Sequence, residues 1–167
     1  LSFPAESLFF AIQTNRNDGH NYIVELYQQN LRYFVVSEIR PEFSSHENAV
    51  FLKVDDTLAA LQHLVSVHRQ SFDIPVIGIT GSNGKTVVKE WLYQLLHADF
   101  SIVRSPRSYN SQIGVPLSVW ALNENTQLGI FEVGISEPYE MKKLQPIIQP
   151  TIGIFTNLGD AHQENFH

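Results

Sequence analysis

The 167-residue chain is 43% hydrophobic and 17% charged, carries a formal net charge of −6 and contains no cysteine. Such a length and composition support one domain or two small ones with a real core, and exclude a disordered segment. The acidic balance argues against a general nucleic-acid binder, and the lack of cysteine excludes disulfides and thiolate metal sites.

No apolar run approaches a membrane span, and the start Leu1-Ser2-Phe3-Pro4 has no signal-peptide layout. A soluble, cytoplasmic chain without membrane insertion is therefore expected. The missing initiator Met and the end at His167 suggest an excised piece.

Residues 7–12 read as a buried strand, Arg16-Asn17-Asp18-Gly19 as a turn, and His20 to Asn30 as a helix spaced on Ile23, Leu26 and Tyr27. Tyr33 to Ser37 and Ala49 to Val54 read as further strands, separated by a polar loop with Pro41, Ser44 and Ser45. Asp56 or Thr57 can cap a helix whose apolar face is Leu58, Leu61, Leu64, Val65 and His68. Ser71-Phe72-Asp73 is the expected boundary, giving domains 1–72 and 73–167.

From Pro75 the rhythm becomes strand–helix–strand. The helix after the glycine-rich turn is expected to present Val88, Trp91, Leu92, Leu95 and Leu96 on one face. Phe100 to Val103 follows as a strand, Ser105 to Gln112 as a polar loop and Val115 to Leu122 as a short helix. Leu128 to Val133 is a continuous apolar strand, as inside a parallel sheet; Tyr139 to Ile148 is helical, and Thr151 to Phe155 is another buried strand. The fold class read from this order is α/β: a small α/β N-terminal domain, then part of a P-loop-type parallel-sheet domain with its loops at the carboxyl ends of the strands.

Three strand ends carry polar residues that would converge in such a sheet. The first is Thr80-Gly81-Ser82-Asn83-Gly84-Lys85-Thr86, where glycines let backbone N–H groups turn toward an anion and the next helix points its positive end at the same spot. Lys85 can reach terminal phosphates, and Gly81, Ser82, Asn83, Gly84, Lys85 and Thr86 form the nucleotide cradle. The glycine that a standard P-loop carries five residues before Gly84 is replaced by Ile79, so the loop is a variant. Glu132 leaves the second strand end beside Gly134, and Thr86 with Glu132 makes a sensible oxygen pair for Mg²⁺. The third end is Thr156-Asn157-Leu158-Gly159-Asp160-Ala161-His162, where His162 could ligate a second ion or orient a substrate carboxylate and Asn157 adds a nucleotide contact. The loop from Ser105 to Gln112 offers Arg107 and Asn110 as phosphate or carboxylate contacts. Each group also has a plain alternative: a solvated strand-end carboxylate, a satisfied histidine, an ordinary polar connection.

Taken together, these residues resemble the Mur ligase family of ATP-dependent enzymes. The Thr80–Thr86 loop matches that family's P-loop, missing glycine included. Asn110-Ser111-Gln112-Ile113-Gly114-Val115-Pro116-Leu117, Glu132-Val133-Gly134 and the block from Thr156 to His162 resemble blocks of the MurF branch. Departures stand at Ser108 and Ser111, where that branch carries Asn. Leu8-Phe9-Phe10-Ala11-Ile12 with Asp18-Gly19-His20 resembles the branch's amino-terminal UDP-substrate domain, and the dialect resembles forms fused to an alanine racemase. The resemblance implies ATP and Mg²⁺ as cofactors, Lys85, Glu132 and His162 as catalytic residues, and Thr86, Glu132 and His162 as metal ligands. It implies addition of D-alanyl-D-alanine to UDP-N-acetylmuramoyl-tripeptide through an acyl phosphate, in peptidoglycan precursor synthesis. It also implies that an Asp-Ser-Arg motif precedes Leu1, and that a modified lysine, the adenine contacts and a C-terminal domain follow His167, so that this stretch alone turns over little. Rival readings are another Mur or folylpolyglutamate-type amide ligase, a non-catalytic nucleotide-binding module, and an unrelated P-loop kinase or ATPase.

Overall fold

A computed structural model describes residues 4–135, 138–157 and 159. The chain divides into two compact units, Leu1–Leu61 and Gln62–His167.

In the first unit, strands β1 (Leu8–Phe10), β2 (Tyr33–Val36) and β3 (Val50–Lys53) form a parallel sheet in the order β1-β2-β3. Helix α1 (Ile23–Gln28) crosses from β1 to β2, and a 3₁₀ turn over Pro41–Ser45 stands between β2 and β3. The core is Ala11, Ile23, Leu31, Phe34, Val36 and Phe43, all buried. Phe51 stacks on Phe34 and Phe43 at ring separations of 5.3 and 5.2 Å, so aromatic area fixes this small core.

The expected helix at 20–30 begins as a 3₁₀ turn over Gly19–Tyr22, capped by Asp18, whose side chain accepts from the His20 N–H. His20 is buried and spans two elements: Nδ1 lies 2.7 Å from Asp18 Oδ1, and Nε2 accepts from the Ser37 N–H at 3.1 Å. Arg40 reaches Asp18 Oδ2 at 2.5 Å. Burial pushes the Asp18 carboxyl upward, but hydrogen bonds from His20, Gln13 and Arg40 outweigh it and hold the group well below the usual carboxylate range. A depressed folded-state pKa contributes stability that is present above the unfolded value of about 3.9 and is lost as pH falls toward the folded value. Asp18→Asn should therefore cost the first unit about 1–2 kcal/mol near neutral pH and flatten the loss of stability below about pH 4. Urea melts at several pH values check this; an unchanged acid limb would count against the lock.

In the second unit, β4 (Val76–Thr80), β5 (Ile102–Arg104), β6 (Leu128–Glu132) and β7 (Ile152–Phe155) make a parallel sheet in the order β5-β6-β4-β7. Helix α3 (Lys85–Leu96) follows β4, α4 (Gly114–Val119) follows β5, and α5 (Glu140–Ile148) follows β6. Val88, Leu92 and Leu96 pack on Ile77, Ile79, Leu128 and Ile130. The alternate residue Gly78 points the other way, where a Cβ would sit 3.1 Å from Ile148, so α3 and α5 cover opposite faces.

Helix α2 (Thr57–Gln70) spans the point between Leu61 and Gln62 where the two compact units divide. Asp56 Oδ1 caps it by accepting from Leu58 and Ala59 N–H. The residues after Leu61 belong to the second unit because their polar groups bond there: Ser66 to the Pro146 carbonyl, His68 to that of Leu122. Buried Arg69 donates to the carbonyls of Ile148, Phe72, Ile74 and Gln149, clamping three chain segments.

Four expectations about burial fail. Strand β1, expected to be buried, has Leu8 exposed and Phe9 and Phe10 half-buried. Leu64 is exposed, since Arg69 and Val65 take the inward positions of α2. Trp91 and Leu95 are 63% and 73% exposed: α3 carries two adjacent apolar stripes, and the sheet takes the one through Val88, Leu92 and Leu96. Strand β7 is mostly exposed instead of buried, because it forms the sheet edge among the described residues and pairs only with β4.

Candidate functional site

Strand β4 lies in the middle of the second sheet, and its buried Val76, Ile77 and Ile79 deliver the chain into a tight turn at the carboxyl edge. Ile79, at the place of the standard P-loop glycine, is fully buried in the core, so the loop begins only at Gly81. Gly81 has φ +131° and Gly84 φ +80°, conformations that suit glycine, and α3 starts at the next residue. The first N–H groups of α3 have no partner within the helix and carry the positive end of its dipole.

The turn is braced from β7. Ser82 N–H donates to the Asn157 carbonyl at 2.9 Å, Asn83 N–H to Asn157 Oδ1 at 2.9 Å, and Thr156 Oγ1 to the Asn83 carbonyl at 2.6 Å. Ser82 Oγ is bonded to Gly159. Asn157, expected as a nucleotide contact, bonds to the loop through both its carbonyl and its side-chain oxygen. Lys85 Nζ donates across the loop to the Gly81 carbonyl at 2.5 Å.

Thr86 Oγ1 donates to Glu132 Oε2 at 3.0 Å, joining the first turn of α3 to the end of β6. The two side chains border a cavity of about 240 Å³ together with Ser82, Asn83, Gly84, Lys85, Val87 and Asn110. Asn110 is held there because its carbonyl accepts from Gly134 N–H at 2.8 Å. Arg107 is exposed and lines no part of this cavity. His162 lies outside the described residues, as do Leu158 and Asp160.

One buried cation had no place in the sequence reading. Lys89, one turn after Lys85, is fully buried and sits 2.9 Å from the equally buried Glu132 Oε1. It also contacts Glu90 Oε1 at 3.1 Å and the carbonyls of Ser105 (2.9 Å) and Arg107. Glu90 is held below the usual carboxylate range: burial acts upward, and Lys89 and Arg104 outweigh it. The signal for Lys89 was a charge set between apolar Val88 and Leu92 on the inward side of α3.

The arrangement is a polar, partly cationic cradle whose helix terminus and lysine suit an anion such as a phosphate group. Thr86 and Glu132 add two hard oxygen donors at its floor. Among the described residues no group of three or more His, Asp or Glu could hold a metal alone. The Thr86 and Glu132 oxygens are of the hard type that an octahedral Mg²⁺ accepts as one or two protein ligands beside waters and phosphate oxygens.

A family model described as the Mur ligase middle domain matches residues 79–167. The UDP-N-acetylmuramoyl-tripeptide--D-alanyl-D-alanine ligase of Bacillus subtilis (strain 168) is 32% identical over 158 residues, covering 95% of this chain and 34% of that protein. A crystal structure of MurF from Acinetobacter baumannii superposes with a TM-score of 0.89 at 28% identity, over 97% of this chain and 35% of that one. The MurF ligase of Thermotoga maritima in complex with ADP gives 0.80 at 28% identity, over 91% and 34%. The chain spans about a third of the length of these relatives. With a variant P-loop beside a strand-end glutamate, and a middle-domain match over more than half its length, the chain belongs to the Mur ligase family.

Proposed function

We infer that the chain forms the substrate-side and ATP-side parts of a ligase that joins D-alanyl-D-alanine to UDP-N-acetylmuramoyl-tripeptide. The observation that carries this is the meeting of the Gly-rich loop, Lys85, Thr86, Asn110 and Glu132 around one cavity, with Thr86 bonded to Glu132. In this reading residues 1–72 bind the UDP substrate, residues 73–167 bind ATP, and a further domain in the same protein brings the dipeptide. The enzyme is cytoplasmic and makes peptidoglycan precursors; no described helix is long and apolar enough to cross a membrane.

Transfer of the γ-phosphoryl group to the tripeptide carboxylate gives an acyl phosphate and ADP; the dipeptide amine then attacks the acyl carbon and releases phosphate. Phosphoryl transfer asks the protein for position and charge neutralisation, and no protein nucleophile is needed. The loop amides grip the phosphate oxygens, and Lys85 swings from the Gly81 carbonyl to the terminal phosphates. Asn110 stands on the wall where the acceptor acid would lie. Thr86 and Glu132 would hold Mg²⁺, with His162 as a further ligand. When bound, that ion would supply charge neutralisation to the transferring phosphoryl group.

Phosphate release from the complete protein, dependent on both the UDP-tripeptide and the dipeptide, tests the reading. Lys85→Ala should lower kcat about 10²–10³-fold. Selective use of a different amine would favour another amide ligase. ADP binding without any turnover would favour a nucleotide-binding module.

A further inference from the structure

The buried ammonium of Lys89 faces four oxygens: the carbonyls of Ser105 and Arg107, Glu90 Oε1 and Glu132 Oε1. It has three protons. Glu132 Oε1 is the oxygen left without a well-aligned hydrogen bond, although it lies 2.9 Å from Nζ and is buried. The other carboxylate oxygen, Oε2, is bonded to Thr86 at the cavity. Glu132 is also gripped at its backbone, where its N–H donates to the Oγ of buried Ser105 at 3.0 Å.

Burying a Lys–Glu pair is costly, and apolar residues of similar size would fill the same space without that cost. Nothing in the packing of α3 asks for a charge at this position, since Val88, Leu92 and Leu96 supply its contact with the sheet. What the charge does accomplish is local. It lets a carboxylate remain dry with one oxygen fixed from behind and the other turned to the cavity. Through the carbonyls of Ser105 and Arg107 it also ties down the start of the loop that carries Asn110. Arg107 stands at φ +49°, a left-handed conformation that a non-glycine residue keeps only when its surroundings hold it.

We propose that Lys89 is a positioning residue for the cation site: it orients Glu132 toward Thr86 and fixes the Asn110 loop, without itself touching nucleotide. The proposal rests on the functional reading above. It predicts a defect in the metal-dependent part of nucleotide binding and none in the part made by the loop amides and Lys85.

The test is ADP binding to the complete protein, measured by calorimetry with Mg²⁺ and again with excess EDTA. Wild type should bind more tightly with Mg²⁺. Lys89→Met should lose about ten- to hundred-fold of the Mg²⁺ enhancement, while ADP affinity in EDTA stays within about three-fold. Lys89→Gln keeps two N–H donors for the Ser105 and Arg107 carbonyls, and serves if the Met variant does not fold; the same selective loss is expected. An enhancement within three-fold of wild type in the folded variant would overturn the proposal, as would an equal loss with and without metal, which marks a purely structural lysine. Wild-type protein that bound no ADP, or gained nothing from Mg²⁺, would overturn the functional reading and this proposal together.

Discussion

Glu132→Ala should destabilise the second unit by about 3 kcal/mol or more, since breaking a buried ion pair strands its partner in a dry site. Glu132 and Lys89 are both fully buried, with 2.9 Å between Nζ and Oε1. Two carbonyls and the Glu90 carboxylate remain to Lys89, which keeps the loss toward the lower end of the range. Glu132→Gln keeps an acceptor for Thr86 and should cost about half as much. Removing both charges with Glu132→Leu and Lys89→Met should recover most of the stability, the non-additivity expected of residues in contact. Guanidinium unfolding of the three variants decides the matter. A loss below about 1 kcal/mol for Glu132→Ala would mean the pair is looser than described.

The second large effect is expected at Gly81. A Cβ there would lie 2.1 Å from Thr156 Oγ1 and 3.0 Å from the Asn157 backbone, and φ +131° is strained for any other residue. Gly81→Ala must push the loop off its brace, at a cost of about 3 kcal/mol in stability and about 100-fold in ADP affinity. Gly84 is the internal control. Its φ of +80° also favours glycine, yet an added Cβ meets no atom within 4 Å. Gly84→Ala should therefore cost only about 1 kcal/mol of stability, the price of a left-handed residue. Denaturant melts of the two variants give the comparison; if Gly84→Ala proved the worse, the bracing by Thr156 and Asn157 would not be what shapes the loop.

Much of this was written locally in the chain. Val76 to Thr80 followed by Gly81 to Thr86 can hardly be anything but a strand, a phosphate-sized turn and a helix, because the apolar run, the glycines and the helical spacing all agree. Glu132 at the end of an unbroken apolar run was legible for the same reason, and the parallel sheet followed from strands alternating with helices. The small first unit was legible through its three short apolar runs and the Asp18-Gly19-His20 turn. What the sequence could not say was which oxygen met which proton. Two apolar stripes on α3 are equivalent by spacing, and only the sheet chose Val88, Leu92 and Leu96 over Trp91 and Leu95. Lys89 went unread because its partners, Glu132 on β6 and the carbonyls of Ser105 and Arg107, meet it only in the folded chain. That Asn157 braces the loop was not legible, since its partner Asn83 lies 74 residues away in the chain. Local backbone preference and apolar spacing are properties of neighbours in sequence; a buried ion pair and a braced loop are made by groups that only folding brings together.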